Sequence, residues 1–188
     1  MSQLKHNIEE QIDLLEKIKD LDRLITDVIA YCVTTISDGG KILLCGNGGS
    51  ASDCQHIAAE LTGRFLKERR PLPAIALTTD TSALTAIAND YGYSEVFSRQ
   101  LEALANPCDT LIAISTSGNS ENVIGAVNLA KSQALRVIGL LGRDGGRLKE
   151  LCDISIVVPS DSTPRIQEAH ILIGHTICEG IETGLGLV

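Results

Sequence analysis

The chain has 188 residues, 44% of them hydrophobic, which fits one soluble globular domain with a full core rather than two domains. Its formal charge of −8, from 24 acidic against 16 basic side chains, argues against nucleic acid or an anionic membrane as main partner, since either favours a basic surface. With 3% aromatic residues and no Trp, stacking platforms for bases are scarce as well. No run approaches the ~20 apolar residues that cross a bilayer, and no basic segment leads into an apolar stretch at the N-terminus, so a cytoplasmic location is expected. Cys32, Cys45, Cys54, Cys108, Cys152 and Cys178 lie far apart without Cys-x-x-Cys spacing, and are expected to be reduced, mostly buried small hydrophobes.

From Leu4 to Ile36 apolar residues recur at helical spacing, which predicts two amphipathic helices broken near Asp20 to Asp22 and stopped at Gly39-Gly40. The apolar stripe of the first helix has nothing in its own segment to cover, so residues 1–38 are expected at a subunit interface. After Gly40 short apolar runs alternate with helical stretches, the pattern of a parallel sheet with crossover helices. Strands are predicted at Ile42 to Cys45, Ala74 to Leu77, Leu111 to Ile114, Arg136 to Leu141 and Ile154 to Val158. Helices are predicted at Ser50 to Leu61, Ser82 to Ala88, Glu95 to Ala105, Ser120 to Gln133, Gly146 to Leu151 and after Pro164, with Arg64 to Pro73 as a loop. The expected fold is α/β, a three-layer αβα sandwich on a five-stranded parallel sheet (residues 41–188) preceded by an N-terminal helical extension.

Two loops stand out. Gly46-Asn47-Gly48-Gly49-Ser50-Ala51-Ser52 and Ser115-Thr116-Ser117-Gly118-Asn119-Ser120 each follow a predicted strand and open a helix. Such a junction leaves backbone N–H groups at the positive end of the helix dipole, which suits a phosphate. Small polar residues of this kind also serve as plain turns and caps. Four hydroxyls within six residues after a buried strand favour phosphate contact by Ser115, Thr116, Ser117 and Ser120. The first loop lacks Gly-x-Gly-x-x-Gly and the Lys-Ser/Thr ending of a P-loop, which disfavours nicotinamide chemistry and nucleoside triphosphate hydrolysis.

His56 and Glu60, at i and i+4, project from one face of the helix that the first loop opens. Their neighbours Ile57, Ala58 and Leu61 suggest burial, where an unpaired carboxylate is costly and a metal or polar partner is needed. In the last helix Arg165, Gln167, Glu168, His170, His175 and Glu179 interrupt an apolar sequence. Gln167 and Glu168 lie eight and seven residues before His175, so either shares its stripe, and spacing leaves both open. Asn89-Asp90-Tyr91-Gly92 reads equally as a helix end with turn or as a polar contact segment, and Arg64 as a surface charge or a cation for phosphate.

The stretches Cys45 to Ser52, His56 to Arg64, Asn89 to Tyr93, Ile114 to Val123 and Arg165 to His175 together resemble the phosphoheptose isomerases of the sugar isomerase (SIS) domain superfamily, nearly end to end. The resemblance implies an aldose-ketose isomerase that converts sedoheptulose 7-phosphate to D-glycero-D-manno-heptose 7-phosphate through an enediolate, the first step toward ADP- or GDP-activated heptose for surface glycans. It also implies a homotetramer with one zinc per subunit. Carried over by position, the metal ligands are His56, Glu60, Gln167 and His175. Substrate contacts are Asn47, Gly48, Gly49, Glu60, Asn89, Asp90, Ser115, Thr116, Ser117, Ser120 and Gln167. Glu60 is assigned as base and His175 as its acid/base partner, since proton transfer between C1 and C2 needs both. Pro164 stands where relatives carry an acid. The alternative is a non-catalytic tetrameric adaptor of the same fold, resembling replication initiator-associating proteins, although an adaptor has no need of the His/Glu/Gln/His set. The expected site has the third and last helices converging across subunits.

Overall fold

The computed structural model describes residues 2–187. Strands β1 (Ile42–Gly46), β2 (Ala74–Ala76), β3 (Thr110–Ser115), β4 (Arg136–Gly142) and β5 (Ile154–Val158) form one sheet in the order β2-β1-β3-β4-β5, with every pairing parallel. Every residue of β1 and β3 is buried, which explains their unbroken apolar runs, because a parallel sheet covered on both faces has no solvent side. Alternate residues feed opposite cores. Ile42, Leu44, Ile112, Ile114, Ile138 and Leu140 face one cluster, while Leu43, Cys45, Leu111, Ala113, Val137 and Leu141 face the other.

The first face is covered by α2 (Asp22–Ser37), α3 (Gly49–Thr62) and α8 (Thr163–Gly184), with the end of α1 (Gln3–Ile18). The second is covered by α4 (Thr81–Tyr91), α5 (Ser98–Leu104), α6 (Glu121–Ser132) and α7 (Leu148–Leu151). The αβα sandwich follows. A 3-10 turn at Lys19–Leu21 separates α1 from α2 where the periodicity breaks. Leu14 and Ile18 of α1 are buried in the core, whereas Leu4, Ile8 and Ile12 stand 69%, 48% and 54% exposed.

Two predicted helices are shorter in the structure, each for a physical reason. The stretch Glu95 to Ala105 begins as a 3-10 turn and becomes helical only at Ser98, because Val96 and Phe97 turn inward to fill the second core. The helix expected from Gly146 begins at Leu148, since Gly145 and Gly146 adopt left-handed backbone (φ +90° and +53°) that no α-helix accommodates. The cysteines are all free. Cys32, Cys45, Cys54 and Cys178 are buried, Cys152 partly so, and Cys108 is exposed. Burial pushes the Cys32 and Cys178 thiols up to about 12, so they are inert at neutral pH. Among the described residues no helix is long and apolar enough to cross a membrane.

Candidate active site at the carboxyl edge of the sheet

The chain leaves β1 toward β2 on one side and returns to β3 on the other, so the strand order reverses at the β1/β3 seam, where an open parallel sheet presents its ligand crevice. Gly46 pairs with Ile114 across that seam, which places the first residue of the first loop about 5 Å from the residue that leads into the second. The loops are also tied together. Asn47 and Asn122 exchange side-chain amide hydrogen bonds, both at 2.8 Å, and the Tyr93 hydroxyl donates to Asn47 Oδ1 at 3.0 Å. Asn122 is buried, and its Oδ1 also accepts the Val123 N–H. Sequence reading missed Asn122 and Tyr93 because each resembles an ordinary helix or turn residue until its partner is known.

Within the second loop, Ser115 Oγ accepts the Gly118 N–H at 3.1 Å, and Ser117 Oγ accepts that of Asn119 at 3.2 Å. These two hydroxyls build the turn. Ser120 occupies the N-cap position of α6, yet its hydroxyl makes no capping bond and lies 3.2 Å from Ser115 Oγ. The capping role that competed with phosphate contact is therefore not what Ser120 does. Thr116 and Ser117 are half-buried beside it. No side chain caps α3 among the described residues, so the helix end at Gly48-Gly49 is left to backbone N–H groups and the dipole.

Helices α3 and α8 lie side by side and run in the same direction, as successive contacts along them show. A Cβ placed on Gly49 would meet Gln167 Nε2 at 2.2 Å, and one on Gly174 would meet Ile57 Cδ1 at 2.7 Å. At that second crossing His56 Nε2 stands 3.3 Å from His175 Nε2 and 3.1 Å from Glu60 Oε1. The convergence expected across subunits thus occurs within one chain. The pair is also less buried than its apolar neighbours suggested: the His56 and Glu60 side chains are 48% and 25% exposed, because Ile57, Ala58 and Leu61 face the sheet while His56 and Glu60 face the rim toward α8. Phe65 stacks on the His175 ring, with centroids 5.4 Å apart and planes 26° apart.

His56, Glu60 and His175 offer donor atoms that all lie within 4.8 Å of one another. Tetrahedral zinc with bonds of 2.0–2.1 Å spaces its ligand atoms about 3.3 Å apart, which the 3.1 and 3.3 Å separations match. Without an ion the two imidazoles share one N–H as a hydrogen bond, with donor and acceptor set by their tautomers; a cation would instead take a lone pair from each. A two-nitrogen, one-oxygen set with a free fourth position suits zinc in a catalytic rather than a structural site. The residues present fit such an ion.

Gln167 lies against Gly49 instead, eight residues or about 12 Å along α8 from His175. Glu168 turns away to pair with Arg165, its Oε1 accepting from Nη2 at 2.5 Å, so of the two candidates Gln167 faces the crevice. His170 is fully buried and donates Nε2–H to the Leu141 carbonyl at 2.9 Å. Burial lowers its pKa to about 4, which makes it a neutral tether between α8 and β4. Asn89 and Asp90 are exposed at the end of α4 and bonded to each other; Tyr93 is the link from their segment to the first loop. Arg64 is an exposed side chain 3.9 Å from Glu68, a surface charge. Pro164 sits in the first turn of α8, where its missing N–H costs nothing. Asp53, one turn before His56, escaped the sequence reading. Its Oδ2 is buried without a partner, and burial raises its carboxyl above the ordinary range against the opposing effect of His56.

The SIS domain family matches residues 6–142. The sequence is 58% identical over 182 residues to the phosphoheptose isomerase of Aliarcobacter butzleri, covering 97% of this chain and 96% of that protein. Two solved structures resemble it over almost their full length. The phosphoheptose isomerase of Neisseria gonorrhoeae superposes with a TM-score of 0.92 at 45% identity, covering 96% of this chain and 97% of that one. That of Francisella tularensis gives 0.93 at 39% identity, with coverage of 97% and 100%.

Proposed function

Because the chain belongs to the SIS domain family and, within it, to the phosphoheptose isomerases, we propose that it converts sedoheptulose 7-phosphate to D-glycero-D-manno-heptose 7-phosphate, supplying the pathway to activated heptose. The observation that carries this reading is the placement of His56, Glu60 and His175 within 4.8 Å of one another beside two anion-suited loops at the β1/β3 seam. The phosphate takes the N-terminal ends of α3 and α6, with Ser115, Thr116, Ser117 and Ser120 around it and Asn47, Gly48 and Gly49 opposite. Gln167, lying over Gly49, contacts the sugar between phosphate and reacting carbons. Asn89 and Asp90 complete the substrate contacts through the segment that Tyr93 ties to the first loop.

The reaction moves hydrogen without a net redox change. Glu60 takes the proton from C1 of the open-chain ketose while His175 protonates the C2 oxygen. The enediol then loses the O1 proton and regains one at C2 to give the aldose. A zinc ion, one per subunit, held by His56, Glu60 and His175 would polarise the carbonyl and stabilise negative charge on the neighbouring oxygens; because a lone pair given to the ion cannot also hold a proton, Glu60 and His175 would have to loosen from it to act as base and acid. Gln167 joins that ligand set only if its amide leaves Gly49. The exposed stripe Leu4, Ile8 and Ile12 supports a homo-oligomer, a tetramer by analogy with the family, with the N-terminal helices at its interface. A net charge of −8 with no membrane-length helix among the described residues supports a cytoplasmic place.

The test is incubation with sedoheptulose 7-phosphate after chelation and again after zinc addition, following aldoheptose phosphate by NMR. Product that depends on added zinc is expected. No product in either state would refute the isomerase reading and favour the adaptor.

A further inference from the structure

Outside the donor cluster, one buried ion pair touches the end of α3 and the far half of α8. Arg69 and Glu182 are each 1% exposed and joined by Nε to Oε1 at 2.8 Å. Glu182 also accepts the N–H groups of Phe65 at 3.0 Å and Leu66 at 3.3 Å. Burial alone would raise its carboxyl, but those N–H groups and the guanidinium outweigh it and hold it below the ordinary value. Arg69 in turn donates Nη2 to the Glu60 carbonyl at 2.7 Å, and Nη1 to those of Leu61, Gly63 and Arg70 at 2.8, 3.0 and 3.1 Å. The carbonyls of Glu60 and Leu61 are among those the last turn of a helix leaves without helical partners.

A buried charge pair is a poor way to add stability, because desolvation offsets its attraction and apolar residues of equal volume serve as well. What apolar residues cannot do is bind four carbonyls and two N–H groups in fixed directions. The consequence of that binding is local. It pins the backbone of Glu60 itself, and it folds the following segment so that the Phe65 ring rests on His175.

Resting on the metal-dependent reading above, we propose that Arg69 and Glu182 are positioning residues for the His56–Glu60–His175 cluster, holding the end of α3 and the Phe65 ring so that the three donors converge before an ion or sugar arrives.

The test uses the full-length protein, stripped with chelator and titrated with Co2+, whose visible absorption reports both affinity and coordination. Glu182→Gln keeps the volume and removes the charge. It should weaken Co2+ binding about 10- to 100-fold, the usual effect of losing a group that orients ligands, and lower kcat with KM for the sugar phosphate almost unchanged. Phe65→Leu leaves the ion pair intact and cuts only the last link, so it should also weaken Co2+ and alter its spectrum, while Phe65→Tyr should restore both. If Glu182→Gln does not fold, Arg69→Lys, which keeps the charge but loses the guanidinium's bonds to the Glu60 and Leu61 carbonyls, takes its place and should weaken Co2+ binding likewise. Folded Glu182→Gln and Phe65→Leu that bind Co2+ like the unsubstituted protein, with the same spectrum, would overturn the positioning role alone. An unsubstituted protein that takes up no Co2+ would overturn the metal reading and this proposal with it.

Discussion

Gly118→Ala tests how closely the second loop is fitted to its neighbour. Gly118 has φ +65°, a conformation that costs a residue with a Cβ about 1–2 kcal/mol. The added methyl would lie 1.9 Å from the Gly145 carbonyl oxygen and 2.4 Å from its carbon, so reaching even 3.0 Å requires the two backbones to part by 3.0 − 1.9 = 1.1 Å. Backbone cannot rotate aside as a side chain can, and such overpacking costs about 1–3 kcal/mol. The same displacement strains the 3.0 Å bond from Leu148 N–H to the Gly118 carbonyl, about 0.5–1.5 kcal/mol more. Together these predict a loss of about 2.5–6.5 kcal/mol, a large share of a typical domain's stability. Urea unfolding followed by circular dichroism measures it, with equal m-values as the check on two-state behaviour. Gly39→Ala is the internal control: φ is +83° and nothing lies within 4 Å of the added carbon, so only the backbone cost of about 1–2 kcal/mol applies. Because Ser115, Thr116, Ser117 and Ser120 ride on the displaced loop, KM for the sugar phosphate should rise in Gly118→Ala and not in Gly39→Ala. Equal, small losses in the two variants would refute the close contact and the loop's part in binding.

Glu60→Gln and His175→Ala should each reduce kcat by at least about 10²- to 10⁴-fold while the far-UV spectrum is kept, and full activity in either would remove that residue from the mechanism. Ser120→Ala should change stability by less than about 0.5 kcal/mol, since its hydroxyl caps nothing, yet raise KM; an unchanged KM would exclude the phosphate role. His170 predicts a pH effect of definite sign. Its folded pKa of about 4 lies below the ordinary 6.5, so between those values the unfolded chain binds a proton that the folded one refuses. Stability therefore falls as pH drops through that window, by about 3 kcal/mol at pH 4 from this group. His170→Gln should flatten that part of the profile, and a variant with the original slope would show that another group is responsible.

The sheet, its parallel sense and both loops were legible from the sequence because their causes are local. A strand buried on both faces must read as an apolar run, such as Ile42 to Cys45, and a loop that meets a helix end must be small, as Gly46 to Ser50 is. The His56/Glu60 pair was legible for the same reason, being set by one helix's own period. Periodicity reports a residue's face relative to its own axis and says nothing of how far two helices slide or turn against each other. That His175 rather than Gln167 stands beside His56 was decided by packing, where Gly174 lets Ile57 approach and sets the register between α3 and α8 within one chain. Likewise Arg69 was one charge in a predicted loop and Glu182 was not singled out at all, the two lying 113 residues apart. The chain's own chemistry thus determined its layers, its anion-suited loops and its donor residues. Only the tertiary fold decided which donors meet, because a side chain's partner depends on the mutual placement of elements that the core packs, and no local pattern encodes it.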